Sequence, residues 1–196
     1  MQTDQPQLEM LLAPLAAQSE VALADGYCLR SYRNGDVGAW GTLISECIGG
    51  QYDEAACRES LLMDTGQFAP EDLYFAVRDD EIVGTACALR KFAPEAGPGY
   101  LHMVAVTPAH RGHHLGRALV VAALQRFHAL GYREVTLNTD DFRLPAIRTY
   151  LDLGFRPVFS HDSHPARWQE VYAKLAVGAR PAVPGAKEGS PCDSTD

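Results

Sequence analysis

The sequence predicts an α/β protein of the α+β kind, with a mixed, mostly antiparallel central sheet flanked by helices. Three observations predict it. Strand and helix signals run through the middle of the chain in the order β α α β β β α β α β β. Between residues 73 and 90 two strand patterns follow one another directly, as antiparallel neighbours do. Between residues 99 and 139 a strand, a helix and a strand form a β-α-β unit, which requires a crossover.

The elements follow in order. Residues 1–24 contain LEMLLAPLAA, read as an appendage on the domain and a candidate short helix. YCLRSY, from Tyr27 to Tyr32, alternates like a strand. In GDVGAWGTLISECI, Asp36 is the expected N-cap, and Val37, Trp40, Leu43, Ile44 and Cys47 share one helical face. DEAACRESLLM is expected to form a second helix. LYFAVRDDEIVGTACALR reads as a hairpin turning at Asp79–Glu81. GYLHMVAV, from Gly99 to Val106, is a strand ended by Thr107-Pro108. The next helix is expected over 112–130, with Leu115, Leu119, Ala122, Ala123, Phe127 and Leu130 on one stripe and Gly131 as its stop. REVTLNT, from Arg133 to Thr139, is a strand. LPAIRTYLDLGF is a short helix with Pro145 in its first turn and Gly154 at its end. FRPVF and QEVYAKL are expected to close the sheet as a strand pair, with Ser160–Arg167 as the surface loop between them. That divides the chain into the appendage, a domain over 25–177 and a disordered tail over 178–196, rich in Pro, Gly, Ser and Asp.

Composition narrows the function. The chain is 46% hydrophobic and 21% charged, which suits a globular protein with a real core. Its formal net charge of -8 argues against a nucleic-acid binder while leaving room for a local basic pocket. No stretch approaches the length of a membrane span, and the first twenty residues lack the cationic start of a signal peptide. The five scattered cysteines read as free thiols of a reducing cytoplasm.

RGHHLGRALV, from Arg111 to Val120, lies at the strand-to-helix junction of the β-α-β unit. The first N–H groups of a helix lack internal partners and sit at the positive end of its dipole. Gly112 and Gly116 let the backbone approach an anion, and Arg111 and Arg117 add charge, an arrangement suited to a diphosphate. The alternative is an ordinary tight turn with solvated arginines. Neither a P-loop nor a dinucleotide fingerprint is present. His110, His113 and His114 straddle the turn without a Cys or carboxylate at ligand spacing, so no metal is expected.

Two motifs carry a family resemblance. V-x-P-x-x-R-G-x-x-L-G-x-A-L, from Val106 to Leu119, resembles the acetyl-CoA loop of the GNAT N-acetyltransferases, R-x-x-G-x-G/A. AIRTYLDLGF, from Ala146 to Phe155, resembles that family's A-x-x-x-Y-x-x-x-G-F helix. The region as a whole is similar to the C-terminal half of the mycothiol-acetylating enzymes. Two departures stand out: His114 replaces the usual Gly, and Arg143-Leu144-Pro145 replaces an Asn that often opens the second motif.

The resemblance implies a sheet split between the fourth and fifth strands, Gly99–Val106 and Arg133–Thr139, that receives acetyl-CoA. The pantetheine arm would pair with Val104, Ala105 and Val106, with Asn138 on the facing strand. The diphosphate would rest on the turn formed by Arg111, Gly112, His113, His114, Leu115, Gly116 and Arg117. The Val104 N–H would polarise the acetyl carbonyl. A primary amine, of a small molecule or a peptide, would attack directly. Tyr150 matches the family tyrosine and is the candidate acid for the departing thiolate; the alternative is a core tyrosine. His102 is the candidate base, placed by two-residue alternation on the face of Val104 and Val106; the alternatives are a buried hydrogen-bonded histidine here and a carboxylate or water as base. His114 is expected to adopt ordinary helical φ, and a Cβ at Gly116 to collide with cofactor or neighbouring strand. Asp140 and Asp141 read as solvated or capping, or as attractors of a cationic amine, and the loop with His161 and His164 as a rim of the acceptor pocket. Two other classes remain open: an acyl-CoA-binding regulatory module and a protein-interaction domain. A homodimer is compatible with the sequence.

Overall fold

The computed structural model describes residues 5–178. Apart from Gly178, the tail expected over 178–196 lies outside the described residues. Seven strands form one sheet: β1 (Leu8–Leu12), β2 (Tyr27–Ser31), β3 (Leu73–Arg78), β4 (Glu81–Leu89), β5 (Gly99–Val106), β6 (Val135–Thr139) and β7 (Arg156–Val158). Their spatial order is β2-β3-β4-β5-β6-β1-β7. Every neighbouring pair is antiparallel except β5 and β6. Five α-helices cover the sheet: α1 (Val37–Ile48), α2 (Glu54–Ser60), α3 (Leu115–Ala129), α4 (Leu144–Asp152) and α5 (His164–Gly178).

The sheet is buried on both faces. On one side α3, α4 and α5 supply Leu119, Phe127, Ile147 and Trp168 to the larger core. On the other, α1 and α2 supply Trp40, Ile44 and Cys57 to a second core. The long apolar run of β4 follows from this: Val83, Ala86 and Ala88 face the first core, Cys87 and Leu89 the second. The β3–β4 hairpin turns through Asp79 and Asp80, both at positive φ, as a two-residue turn of primed type requires. Asp72, 2% exposed, accepts from Arg90 and Arg126 at 2.8 Å each and so ties β4 and α3 to the entry of β3.

Both chain ends depart from the sequence expectations. LEMLL is no appended helix but β1, hydrogen-bonded between β6 and β7. Leu8, Met10 and Leu12 alternate into the larger core, the period of a strand. A short apolar run admits either reading, and its partners come more than a hundred residues later. QEVYAKL, expected as a strand, lies within α5. Trp168, Val171 and Leu175 sit at helical spacing and pack on the larger core, and Pro165 occupies the first turn. The partner of β7 is therefore β1 from the N-terminal side. Asp36 is likewise no side-chain N-cap; its carboxylate takes two bonds from Arg30, at 2.6 and 2.9 Å.

The split stands where expected. The fourth and fifth strands of the sequence order are β5 and β6, because β1 adds one. They pair in parallel at Gly99–Val135 and Tyr100–Thr136 only, then part. On its other side β5 is bulged: Thr85 pairs with Ala105 and Cys87 with His102, so Met103 and Val104 together oppose Ala86. Met103 takes φ 49 to make the bulge.

Candidate active site

The diverging strands open a cleft of about 820 Å³. Its floor is Val104, Ala105 and Val106. One wall is the turn after β5 and the start of α3; the other is α4. A 3-10 turn, Pro108–His110, ends β5, and Gly112 at φ 87 redirects the chain. Helix α3 begins at Leu115, three residues later than the sequence pattern predicts. Its first hydrogen bond runs from Ala118 N–H to the His114 carbonyl at 3.1 Å. The N–H groups of Leu115, Gly116 and Arg117 thus precede the ladder, and His114 gives no side-chain cap. They open the helix at the positive end of its dipole.

His114 corrects an expectation. It has φ 58 and ψ 14, a left-handed conformation, and so takes glycine's backbone as well as its place. At Gly116 the strand alternative falls away: a Cβ there would meet only Val106 Cγ2, at 4.0 Å, so the neighbouring strand does not require glycine. A cluster that the sequence does not suggest braces the turn. Tyr27 Oη lies 2.9 Å from His110 Nδ1 and accepts from Arg78 at 3.1 Å, and the His113 ring lies 5.2 Å from the Tyr27 ring. Arg111 Nε donates to the Val106 carbonyl at 3.1 Å.

Of the expected cofactor residues, the cleft gathers Val104, Ala105, Val106, Arg111, Gly112, His114, Leu115, Gly116 and Arg117. It also gathers residues that sequence reasoning missed: Cys47 and Ile48 from the end of α1, and Phe142, Arg143 and Arg148 at and in α4. Four lining arginines against one lining aspartate, Asp152, make a cationic pocket in a chain of net charge -8. Tyr150 stands in the α4 wall, 6% exposed. Burial pushes its hydroxyl above the ordinary tyrosine range, so it stays protonated at neutral pH.

Three expected site residues, His113, Asn138 and His102, lie elsewhere. His113 is spent on Tyr27 rather than on the cleft wall. Asn138 is exposed on β6 and accepts from Tyr100 Oη at 3.2 Å, outside the cleft lining. His102 is not on the face of Val104 and Val106, because the bulge at Met103 inverts the alternation. Tyr100, Met103 and Ala105 pack toward α1 and α2, whereas Leu101, Val104 and Val106 pack toward α3. His102 Nε2 lies 2.9 Å from Ser60 Oγ on α2, and its ring is next to that of Tyr100. Burial lowers its pKa to about 4, the contact with Ser60 opposing the shift. Asp140 and Asp141 form ion pairs with Arg143 and Arg167 that brace α4 and α5. His164 begins α5, fully buried, with Nδ1 at 3.2 Å from the Val158 carbonyl; neither it nor His161 reaches the cleft. Among the described residues no group of three or more His, Cys, Asp or Glu side chains is placed to hold a metal ion. No helix among them is long and apolar enough to cross a membrane.

Comparison with known proteins places this geometry. The profile of the Acetyltransferase (GNAT) family matches residues 41–155, more than half of the chain. The chain belongs to the GNAT acetyltransferase family. Rat N-acetyltransferase 8B is 32% identical over 119 residues, covering 60% of this chain and 51% of that protein. The mycothiol acetyltransferase of Sanguibacter keddieii is 34% identical over 146 residues, 68% of this chain and 44% of that one. The chain thus spans about half the length of these curated relatives. A GCN5-related N-acetyltransferase from Sphaerobacter thermophilus superposes with a TM-score of 0.64 at 22% identity, over 79% of this chain and 50% of that one. At that identity the match speaks to the fold, and it is a GNAT fold: mixed sheet, flanking helices, one parallel pair at the split.

Proposed function

We propose that this GNAT domain transfers the acetyl group of acetyl-CoA to a primary amine by direct attack. The observation that carries the proposal is the meeting, in one cleft, of three unpaired helix N–H groups, four arginines and the buried Tyr150. The helix start and Arg111 and Arg117 take the diphosphate. The strand Val104–Val106 takes the pantetheine amides as an added strand would. The acetyl carbonyl lies at the bulge, where the Val104 N–H polarises it. The amine adds to this carbon, the C–S bond breaks, and Tyr150 O–H gives its proton to the departing CoA thiolate. Much of the acceleration comes from holding amine and thioester together.

The amine enters from the α1–α2 face, through the open part of the split. His102 and Ser60 stand on that face. With a pKa near 4, His102 is neutral at pH 7 but too weak a base to hold a proton there. We therefore assign the proton of the attacking amine to water, with His102 and Ser60 positioning it. The names of the relatives, N-acetyltransferases among them, support an amine acceptor. The four cysteines of the described residues are free thiols, which supports work in the reducing cytoplasm.

The experiment is a panel of small amines and peptide N-termini, with free CoA as the readout. Tyr150→Phe, which removes one hydroxyl, is expected to lower kcat about 10- to 1,000-fold while nearly keeping acetyl-CoA affinity. Turnover with no amine would favour a binding module, and an unchanged kcat in Tyr150→Phe would remove the assigned acid.

A further inference from the structure

The side of the split away from α3 carries two opposite charges. Lys91 follows β4 and is exposed, and its ammonium rests over the Tyr100 ring, 5.3 Å from the centroid. Glu9 stands on β1. Neither forms an ion pair among the described residues.

Register puts both on one face. Leu8, Met10 and Leu12 point into the larger core, so Glu9 points the other way, to the side of α1 and α2. It pairs with Asn138 on β6, whose side chain takes the Tyr100 hydroxyl at 3.2 Å. Tyr100 packs on the second core, and His102, two residues on, meets Ser60 of α2. That core ends at β5: no residue of β6, β1 or β7 belongs to it. Between β5 and β1 the face is open, with Asn138 exposed and Glu9 half-buried.

Heights along the strands set the order of the groups. The last paired rung is Tyr100–Thr136. Two residues further, His102 and Asn138 stand level across the opening, with Glu9 beside Asn138. Lys91 lies lower, at Tyr100. Its charge still reaches His102, whose pKa it helps burial to lower. The bulge at Met103, beside the proposed place of the acetyl carbonyl, is one step higher. From Tyr100 to Met103 is about 10 Å at the rise of a strand. An attack distance of about 3 Å at the carbonyl and an ion pair of about 3 Å at the ammonium leave about 4 Å between an amine and an anion on one molecule. That is the spacing of an amine and a carboxylate a few bonds apart.

We infer that Lys91 and Glu9 form an acceptor subsite for a free amino acid, Lys91 pairing with its carboxylate and Glu9 drawing its ammonium to the level of His102. The inference rests on the acetyl-transfer reading above and narrows its primary amine to one that carries a carboxylate. Two opposite unpaired charges fit a zwitterion better than a simple amine, whose ammonium Lys91 repels. A peptide N-terminus has lost that carboxylate to an amide and is a poorer acceptor for the same reason. The Tyr100 ring covers one side of the Lys91 ammonium, which strengthens the pairing beyond that of a bare surface ion pair.

Steady-state acetylation of free amino acids, each beside its own carboxamide, tests it, with CoA release as the readout. The carboxylate favours the protonated amine, so the amide offers more free nucleophile, and intrinsic reactivity runs against the expected result. The best amino acid is expected to exceed its amide about tenfold in kcat/KM. Lys91→Met should raise KM for the acid about five- to tenfold, keep its kcat, and leave the amide within about twofold; Lys91→Arg should restore most of the loss. Glu9→Gln should raise KM for acid and amide alike, about threefold, since both carry the ammonium. KM for acetyl-CoA should stay unchanged in all three variants. Lys91 is exposed, so its substitution is not expected to disturb folding. Equal kcat/KM for acids and amides, turnover of simple amines alone, or a Lys91→Met that lowers acid and amide equally refutes the subsite while the acetyl-transfer reading survives. An unchanged KM in Glu9→Gln would overturn the zwitterion pairing. If no amino acid, amide or simple amine releases CoA, both readings fall together.

Discussion

Three residues, two in the cleft and one on the opposite face of β5, make separable claims. His114 holds a left-handed backbone that costs a non-glycine residue about 1–2 kcal/mol. His114→Gly is expected to raise stability by up to about 1 kcal/mol, part of the relief being offset by glycine's larger unfolded entropy. Acetyl-CoA affinity should stay within a few-fold if, as proposed, backbone N–H groups hold the diphosphate. Gly116 tests those N–H groups from the other side. The protein leaves room for a side chain there. Gly116→Val should therefore fold nearly normally by thermal melting yet lose at least about tenfold in acetyl-CoA affinity, ~1.4 kcal/mol. Normal affinity would place the diphosphate elsewhere. His102 predicts a pH effect. Its folded pKa of about 4 lies below the ordinary 6.5, so the unfolded chain binds the extra proton between these values. Stability should fall as pH drops from about 6.5 to about 4, by at most about 3 kcal/mol from this group. His102→Gln should flatten that part of the melting-temperature profile relative to the unaltered protein. A parallel profile would mean that His102 is not the buried neutral group described.

At the scale of elements, the two corrections at the chain ends share one cause. β1 and α5 each contribute a short apolar stripe to a core assembled by distant segments. Leu8, Met10 and Leu12 fill the space between β6, β7 and the helices, where nothing adjacent in sequence announces a partner. β1 is thus a central strand and not a decoration. Met10 is fully buried, so Met10→Ala is expected to cost about 2–5 kcal/mol in denaturant unfolding, the range for large-to-small changes in a core. A loss under about 0.5 kcal/mol would restore the appendage. α4 shows the opposite behaviour. Pro145, the buried Ile147 and Tyr150 and the stop at Gly154 all agree with the helix that the sequence predicts. The same helix delivers Tyr150 to the depth of the cleft and Arg143 to its mouth.

Across the whole molecule, charge is segregated. The chain carries a net -8, but Arg111, Arg117, Arg143 and Arg148 converge on one cleft. A polyanionic cofactor is repelled by the whole and attracted by the part. Both fields are screened, with a Debye length of about 10 Å at 0.1 M salt and about 3 Å at 1 M. On the proposed reading, short-range attraction in the cleft outweighs diffuse repulsion for a seated cofactor. Raising salt from about 0.05 to 0.5 M is therefore expected to weaken acetyl-CoA binding several-fold, with little change in melting temperature of the free protein. Affinity that rises with salt would mean that the net negative field dominates. Asp72 with Arg90 and Arg126 belongs to the same scale, since it ties β4 and α3 to the entry of β3 without entering the cleft lining.

By itself the sequence determined the mixed sheet, the β-α-β unit with its glycine- and arginine-bearing turn, and the helix that carries Tyr150. These rest on local signals: a period of two or 3.6 residues, a glycine or proline at a fixed offset, cations beside a helix start. It also led, through the two motifs around Arg111–Gly116 and Ala146–Phe155, to the family that the profile match then established. Tertiary structure alone decided the rest. One extra residue in β5 turned His102 to the opposite face from Val104, because alternation holds only while the ladder is regular. The order of strands put β1 between β6 and β7, because pairing across more than a hundred residues is chosen by the fit of buried faces and not by neighbours in the chain. Glu9 and Lys91 became notable only when folding set them, unpaired, around Tyr100, since what a charge fails to pair with is decided by its surroundings in space.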